Sequence, residues 1–113
     1  MTPGELYFAK FPFGGTVGAK FRPVLALTDF VGPVPEVLVA YVTSIVPFPA
    51  MPTDVIIDPA DPENAAIKLK LLSVVRLHKL ATIHKSDIGR LLGKVSTRTW
   101  TDVESRLRLL LNL

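Results

Sequence analysis

From residue 5 the chain reads Glu-Leu-Tyr-Phe-Ala-Lys-Phe, an aromatic, β-preferring stretch that predicts a first strand over residues 5–11. Pro12 and then Gly14, Gly15 and Gly18 end it and predict a mobile loop. Arg22 to Asp29 form a second apolar run. Glu36 to Thr43 form a third, nearly continuous in Val, Leu, Ala and Tyr, which predicts a strand buried on both faces. Pro47, Pro49 and Pro52 keep the next stretch out of a sheet interior, because proline lacks the ladder donor. Val55 to Asp58 predict a short strand, and Pro59 to Asn64 a turn. Lys68 to Leu77 and Lys79 to His84 predict two more strands, or one long bent one. Ser86 to Leu92 predicts one or two helical turns closed by Gly93. A longer helix follows, with Ser96 or Thr99 as N-cap and Asp102 three residues after Thr99 in a capping-box arrangement. Its apolar stripe is Trp100, Val103, Leu107, Leu110 and Leu111. Five to seven short strands and one C-terminal helix predict a mainly β fold, a small barrel with a helix packed on it.

Composition narrows this picture. At 113 residues and 12.4 kDa, with 49% hydrophobic residues, the chain fills one core, and residues 1–113 are read as a single domain. Cysteine is absent, which removes disulfides, thiolate zinc sites and a thiol nucleophile together. No apolar run approaches the roughly 20 residues of a membrane span, and the start of the chain does not read as a signal peptide. The expected setting is the cytoplasm.

Charge is unevenly placed. Residues 1–67 carry Lys10, Lys20 and Arg22 against seven acids, net −4, whereas residues 68–113 carry ten basic groups against three acids, net +7. A basic half of this density suits an anionic partner, with Lys68, Lys70, Arg76, Lys79 and Lys85 as candidate flanking cations. No phosphate-binding glycine motif opens a helix. His78 and His84 share a face on a regular strand but have no carboxylate set beside them, so no metal site is expected. The remaining candidates are Arg22, at the start of a buried strand after the glycine loop, and Thr43 with Ser44, closing the next strand. Such strand ends can present a planar cation and a hydroxyl to a phosphate.

Several pieces in order carry a resemblance. Pro3-Gly4-Glu5, the glycine loop, Arg22-Pro23-Val24-Leu25, Val42-Thr43-Ser44, Pro52 to Ile57, Ser73-Val74-Val75, Thr82 to Ser86, Gly93-Lys94 and the Leu-rich final helix resemble the MazF/PemK toxins over nearly the whole chain. The resemblance implies an SH3-like barrel of the CcdB/PemK kind, a homodimer, and a metal-independent, cofactor-free endoribonuclease that cuts single-stranded RNA at short sequences. It also implies a cognate antitoxin whose tail covers the RNA groove. Carried over by position, it makes Arg22 and Thr43 catalytic, with Arg76 assisting; Lys20, Ser44 and Lys79 are the candidate substrate-binding residues beside them. His78-Lys79 stands where the family has an acid followed by Gln. Ala81 replaces its usual arginine, and Thr16-Val17 its loop acid.

RNA can be cut by its own 2′-hydroxyl, so the protein need only move protons and stabilise charge on phosphorus. Arg22 fits the second task and Thr43 would orient the phosphate. Among the remaining residues His78 is the best-suited acid/base group, because an imidazole titrates near neutrality. The alternative is a small barrel that grips nucleic acid without cutting it. The missing loop acid suits that reading; retention of both Arg22 and Thr43 opposes it.

Overall fold

The sheet follows from the apolar runs. In a computed structural model describing residues 1–12 and 20–113, six strands form: β1 (Glu5–Phe11), β2 (Lys20–Ala26), β3 (Glu36–Thr43), β4 (Asp54–Ile57), β5 (Ser73–His84) and β6 (Ile88–Lys94). A single helix, α1 (Thr97–Leu111), closes the chain. The strand order is β4-β5-β3-β2-β1-β6, with every neighbouring pair antiparallel, and the sheet curls into a half-barrel. The expected glycine loop, with Gly14, Gly15, Gly18 and Thr16-Val17, lies outside the described residues.

Burial explains why β2 and β3 read as continuous apolar runs. Val24 and Leu25 point to opposite faces, and both are fully buried. Leu25, Leu6, Val42, Val55, Val75, Leu77 and Leu92 form one buried cluster with Val103 of α1. Val24, Ala26, Val37, Val39, Ala9, Phe11 and Ile83 form a second cluster, with Tyr7 and Tyr41 against it. Each large aliphatic side chain so buried contributes on the order of 1.5–3 kcal/mol.

Several local expectations are corrected. Ser86 to Leu92 is no helix: a single 3-10 turn, Lys85–Asp87, leads straight into β6. The His84 ring nitrogen Nδ1 accepts from the Ser86 amide at 3.0 Å and caps that turn, while the strand that follows pairs with β1. Gly93 ends no helix; its φ of 146° lets the chain pass Ile67, whose Cα would stand 3.1 Å from any added Cβ. Residues 68–72 are not part of β5, although Lys-Leu-Lys-Leu alternates like a strand. The Lys68 amide bonds to Leu92 O at 2.8 Å, and the ladder partners begin only at Ser73. In α1, Ser96 is the N-cap, accepting from the Thr99 amide at 3.1 Å, and Asp102 bonds Arg106 at 2.8 Å instead of reaching back to Thr99. Val103 is fully buried, Trp100, Leu107 and Leu110 pack against the core, and Leu111 falls outside the stripe and is exposed.

Candidate nucleic-acid interface

The site begins where a ladder stops. β2 pairs with β3 only from Val24 to Ala26. The Leu27 amide donates to Leu38 O on β3, so by alternation the Pro23 nitrogen also faces β3. Proline has no hydrogen to give there. The two strands part at that point, and the gap becomes a cavity of about 530 Å³.

Arg22 and Thr43 both line it, as does Ser44. Arg22 is half-buried, and among the described residues no carboxylate comes within ion-pair distance of it. The Thr43 hydroxyl oxygen accepts from the Ile45 amide at 3.1 Å, which holds the turn after β3 and leaves its O–H hydrogen as a donor toward the cavity. The segment 68–72, displaced from the sheet, brings Lys68 and Lys70 to the opposite wall, and β6 brings Arg90. Four cations therefore line the groove with no acidic residue among the lining groups. A cleft of one sign with apolar walls concentrates anions.

The other sequence candidates lie elsewhere. Lys20 opens β2 two residues from Arg22, exposed, and is not among the lining residues. Arg76 stands across Tyr41, its β3 partner, with Nε 2.8 Å from Asp54 Oδ1 and Nη2 3.3 Å from Met51 Sδ. Those side chains are 16% and 1% exposed, so this is a buried ion pair. Between Tyr41–Arg76 and Ala40–Leu80 the β5 ladder carries three unmatched residues, Leu77, His78 and Lys79. The bulge buries Leu77 and turns His78 and Lys79 outward, with Lys79 Nζ 5.5 Å from the Tyr41 ring centroid. His78 is held below the ordinary histidine pKa, chiefly by partial burial and then by the Arg76 charge, with Asp54 pulling the other way. Tyr41 itself lines the groove, so Arg76 and Lys79 adjoin its wall without entering it. Lys85 sits over Phe30, away from the cavity. Among the described residues no group of three or more His, Cys, Asp or Glu is placed to share a metal ion, and no helix is long and apolar enough to cross a membrane.

Pro3-Gly4-Glu5 proves architectural. Gly4 (φ 92°) donates to Ala26 O at 2.8 Å and accepts from the Val95 amide at 3.0 Å, beneath the Trp100 ring. The Glu5 carboxylate accepts from the Thr2 amide and hydroxyl; burial works to raise its pKa, and these bonds outweigh it and hold it below the usual value. Phe8 and Arg90, which line the groove, carry no signal in the sequence. Arg90 falls in the stretch whose sequence predicts helical turns, and only the pairing of β6 with β1 brings it to Phe8.

Comparison with known proteins gives this geometry a family. The profile of the PemK-like, MazF-like toxins of type II toxin-antitoxin systems matches residues 2–111. The chain belongs to that family. Among solved structures, the Mycobacterium tuberculosis toxin MazF-mt6 is 26% identical, with 96% of this chain and 97% of that one aligned at a TM-score of 0.75. A mycobacterial endoribonuclease in complex with its cognate antitoxin is 22% identical over 100% of this chain and 96% of that one, TM-score 0.73. MazF from Deinococcus radiodurans is 21% identical over 100% and 97%, TM-score 0.72. A search of curated proteins found no significant match. The family and the mainly β fold expected from the ordered motifs are thus both found.

Proposed function

We propose that this MazF/PemK-family chain is an endoribonuclease that cuts single-stranded RNA at short sequences without a metal ion. The observation that carries the proposal is the joint presence of Arg22 and Thr43 in one cationic groove. In the proposed reaction the substrate 2′-hydroxyl gives up its proton and attacks the adjacent phosphorus, and the bond to the 5′ oxygen breaks as that oxygen takes a proton from solvent, leaving a 2′,3′-cyclic phosphate and a 5′-hydroxyl. Arg22 stabilises the extra negative charge with its planar fork, and Thr43 donates a hydrogen bond to a phosphate oxygen. Lys20, Ser44, Lys68 and Lys70 hold neighbouring phosphates. Arg76, His78 and Lys79 lie past Tyr41, where a strand leaving the groove would run; there Arg76 assists, and His78, whose pKa is lowered first by partial burial and then by Arg76, accepts a proton. The proposed partners are a cognate antitoxin, matching the groove's charge with an acidic tail, and a second copy of the chain; the proposed setting is the cytoplasm.

One observation favours the non-catalytic alternative: no histidine or carboxylate lines the groove itself. Incubation of the purified protein with a long single-stranded RNA in EDTA decides between them. Discrete fragments ending in a cyclic phosphate, lost in Arg22→Ala, support cleavage. Salt-sensitive binding with intact RNA supports the grip alone.

A further inference from the structure

Phe8 and Arg90 line two cavities at once. Beside the phosphate groove lies a shallower one of about 390 Å³, formed by Phe8, Phe21, Gly89 and Arg90. The β1–β2 register pairs Phe8 with Pro23 and Lys10 with Phe21, so alternation puts these four side chains on one face of the hairpin. The Phe21 ring is 51% exposed. Gly89 keeps the floor open: a Cβ there would stand 3.2 Å from the Phe21 ring and 3.1 Å from the Phe8 carbonyl oxygen. Cations border both rings, with Arg90 Cζ 5.3 Å from the Phe8 centroid and Lys10 Nζ 5.8 Å from that of Phe21.

An exposed ring flanked by cations and continuous with a phosphate groove has the chemistry of a base-stacking platform. Every nucleobase has a π face, and the cations answer the backbone charge beside it. We propose that the Phe8–Phe21–Arg90 shelf holds one nucleobase of the RNA strand whose phosphate lies at Arg22, with Phe21 as the stacking surface. This rests on the RNA reading above. Arg22 and Phe21 are consecutive, so their side chains leave opposite faces of β2. The strand end thereby serves a phosphate on one side and a base on the other.

The test uses a fully 2′-O-methylated RNA oligonucleotide, which has no attacking hydroxyl, carrying the fluorescent base 2-aminopurine or an abasic residue at successive positions. In the native protein one position should be quenched on binding, and an abasic residue there should weaken affinity by roughly 10-fold. Phe21→Leu keeps an apolar side chain on the fold and removes the π face; it should lose both the quenching and the abasic penalty, as should Phe21→Ala. If Phe21→Leu retains the abasic penalty, or no position is quenched while salt-sensitive binding persists, the shelf is refuted and the groove stands. If Phe21→Leu binds RNA normally but fails to bind the antitoxin, the shelf is a protein dock and the proposal is again refuted. A native protein that neither binds this oligonucleotide nor cuts unmodified RNA overturns the shelf and the RNA reading together.

Discussion

Arg22 and Arg76 flank β3 from its two sides, one on β2 and the other on β5, and their surroundings differ in one respect that governs what each can do. Arg76 faces Asp54, a carboxylate only 1% exposed, at 2.8 Å. Arg22 faces a cavity in which the other charged groups are cations. A guanidinium that neutralises a buried carboxylate has much of its field already answered, and removing it strands a charge in the interior. A guanidinium among other cations is answered only when an anion enters. Sequence places both arginines at strand positions of similar character. The partner across the ladder separates fold-holding from ligand-holding charge.

The sharpest way to break this comparison is to delete Arg76. Arg76→Ala should lose about 3–5 kcal/mol of stability, because Asp54 remains buried and unpaired. Chemical denaturation of the native and variant proteins measures it. Replacing both partners with apolar residues of similar volume, Arg76→Met with Asp54→Leu, should recover most of the loss. Unchanged stability would mean that the pair with Asp54 does not hold the fold and would end the contrast; lost RNA cleavage alone would reflect the assisting role proposed above.

Arg22→Ala should show the opposite profile. Removing one donor aimed at developing charge typically costs on the order of 100- to 1,000-fold in rate, and the half-buried side chain leaves no core cavity, so the melting temperature should stay within a degree or two of native for a surface-type change. Thr43→Ala should cut the rate in the same direction, and it also loses the bond to the Ile45 amide. Near-native cleavage by Arg22→Ala would remove the groove from the chemistry.

How far these differences were legible in the sequence depends on the kind of signal. β-preferring and continuous apolar runs, with proline placement between them, mark β1 to β4, because those strands pair where their apolar residues must be buried. Lys68 to Leu72 carries a strand-like alternation without a partner strand, since Lys68 is tied to Leu92 instead, so its pattern alone misleads. Ser86 to Leu92 errs in the other direction: Gly93 looks like the end of a helix, but its missing Cβ lets the chain pass Ile67, as that of Gly89 lets it pass Phe21. Arg22 and Thr43 were found through ordered motifs, and their meeting in one groove is a property of register. Of the five cations expected to flank a groove, Lys68 and Lys70 line this cavity, Arg76 and Lys79 adjoin its wall past Tyr41, and Lys85 lies over Phe30. Asp54 gave no warning that it would be buried against Arg76, because a carboxylate in an Asp-Val-Ile-Ile strand start reads as a solvated end.

Salt dependence sharpens the comparison at smaller scale. For a non-cleavable single-stranded RNA, each phosphate contact adds roughly −0.7 to the slope of log affinity against log salt. Lys70→Gln, in the groove wall, should flatten the slope by about that amount. Lys79→Gln should flatten it equally only if the strand continues past Tyr41; an unchanged slope confines the RNA to the Arg22 side. Isothermal affinities from low to moderate salt distinguish the two.

The smallest expected effect is the most specific to the Arg76 side. His78 has its pKa lowered, first by partial burial and then by Arg76. The folded state therefore takes up a proton less readily than the unfolded chain, whose histidine titrates near its ordinary value of about 6.5. Above that pH both states hold the neutral ring and His78 adds no pH dependence. Below it the unfolded chain binds the proton first, so stability should fall as pH drops, until the folded-state pKa is also passed and the dependence levels off. Subtracting the curve for His78→Gln isolates this contribution from the carboxylates, which titrate lower, and from His84. The difference between native and variant should be flat at pH 7–8 and move in the variant's favour below about 6.5. In an Arg76→Lys background the nearby cation is kept on a different head group, so the difference should persist; in the Arg76→Met, Asp54→Leu pair both charges go, and it should shrink toward what burial alone imposes. A native–variant difference that does not change between pH 5 and 8 would mean that the bulge leaves His78 as solvated as it is in the unfolded chain, and that the Arg76 charge does not reach it.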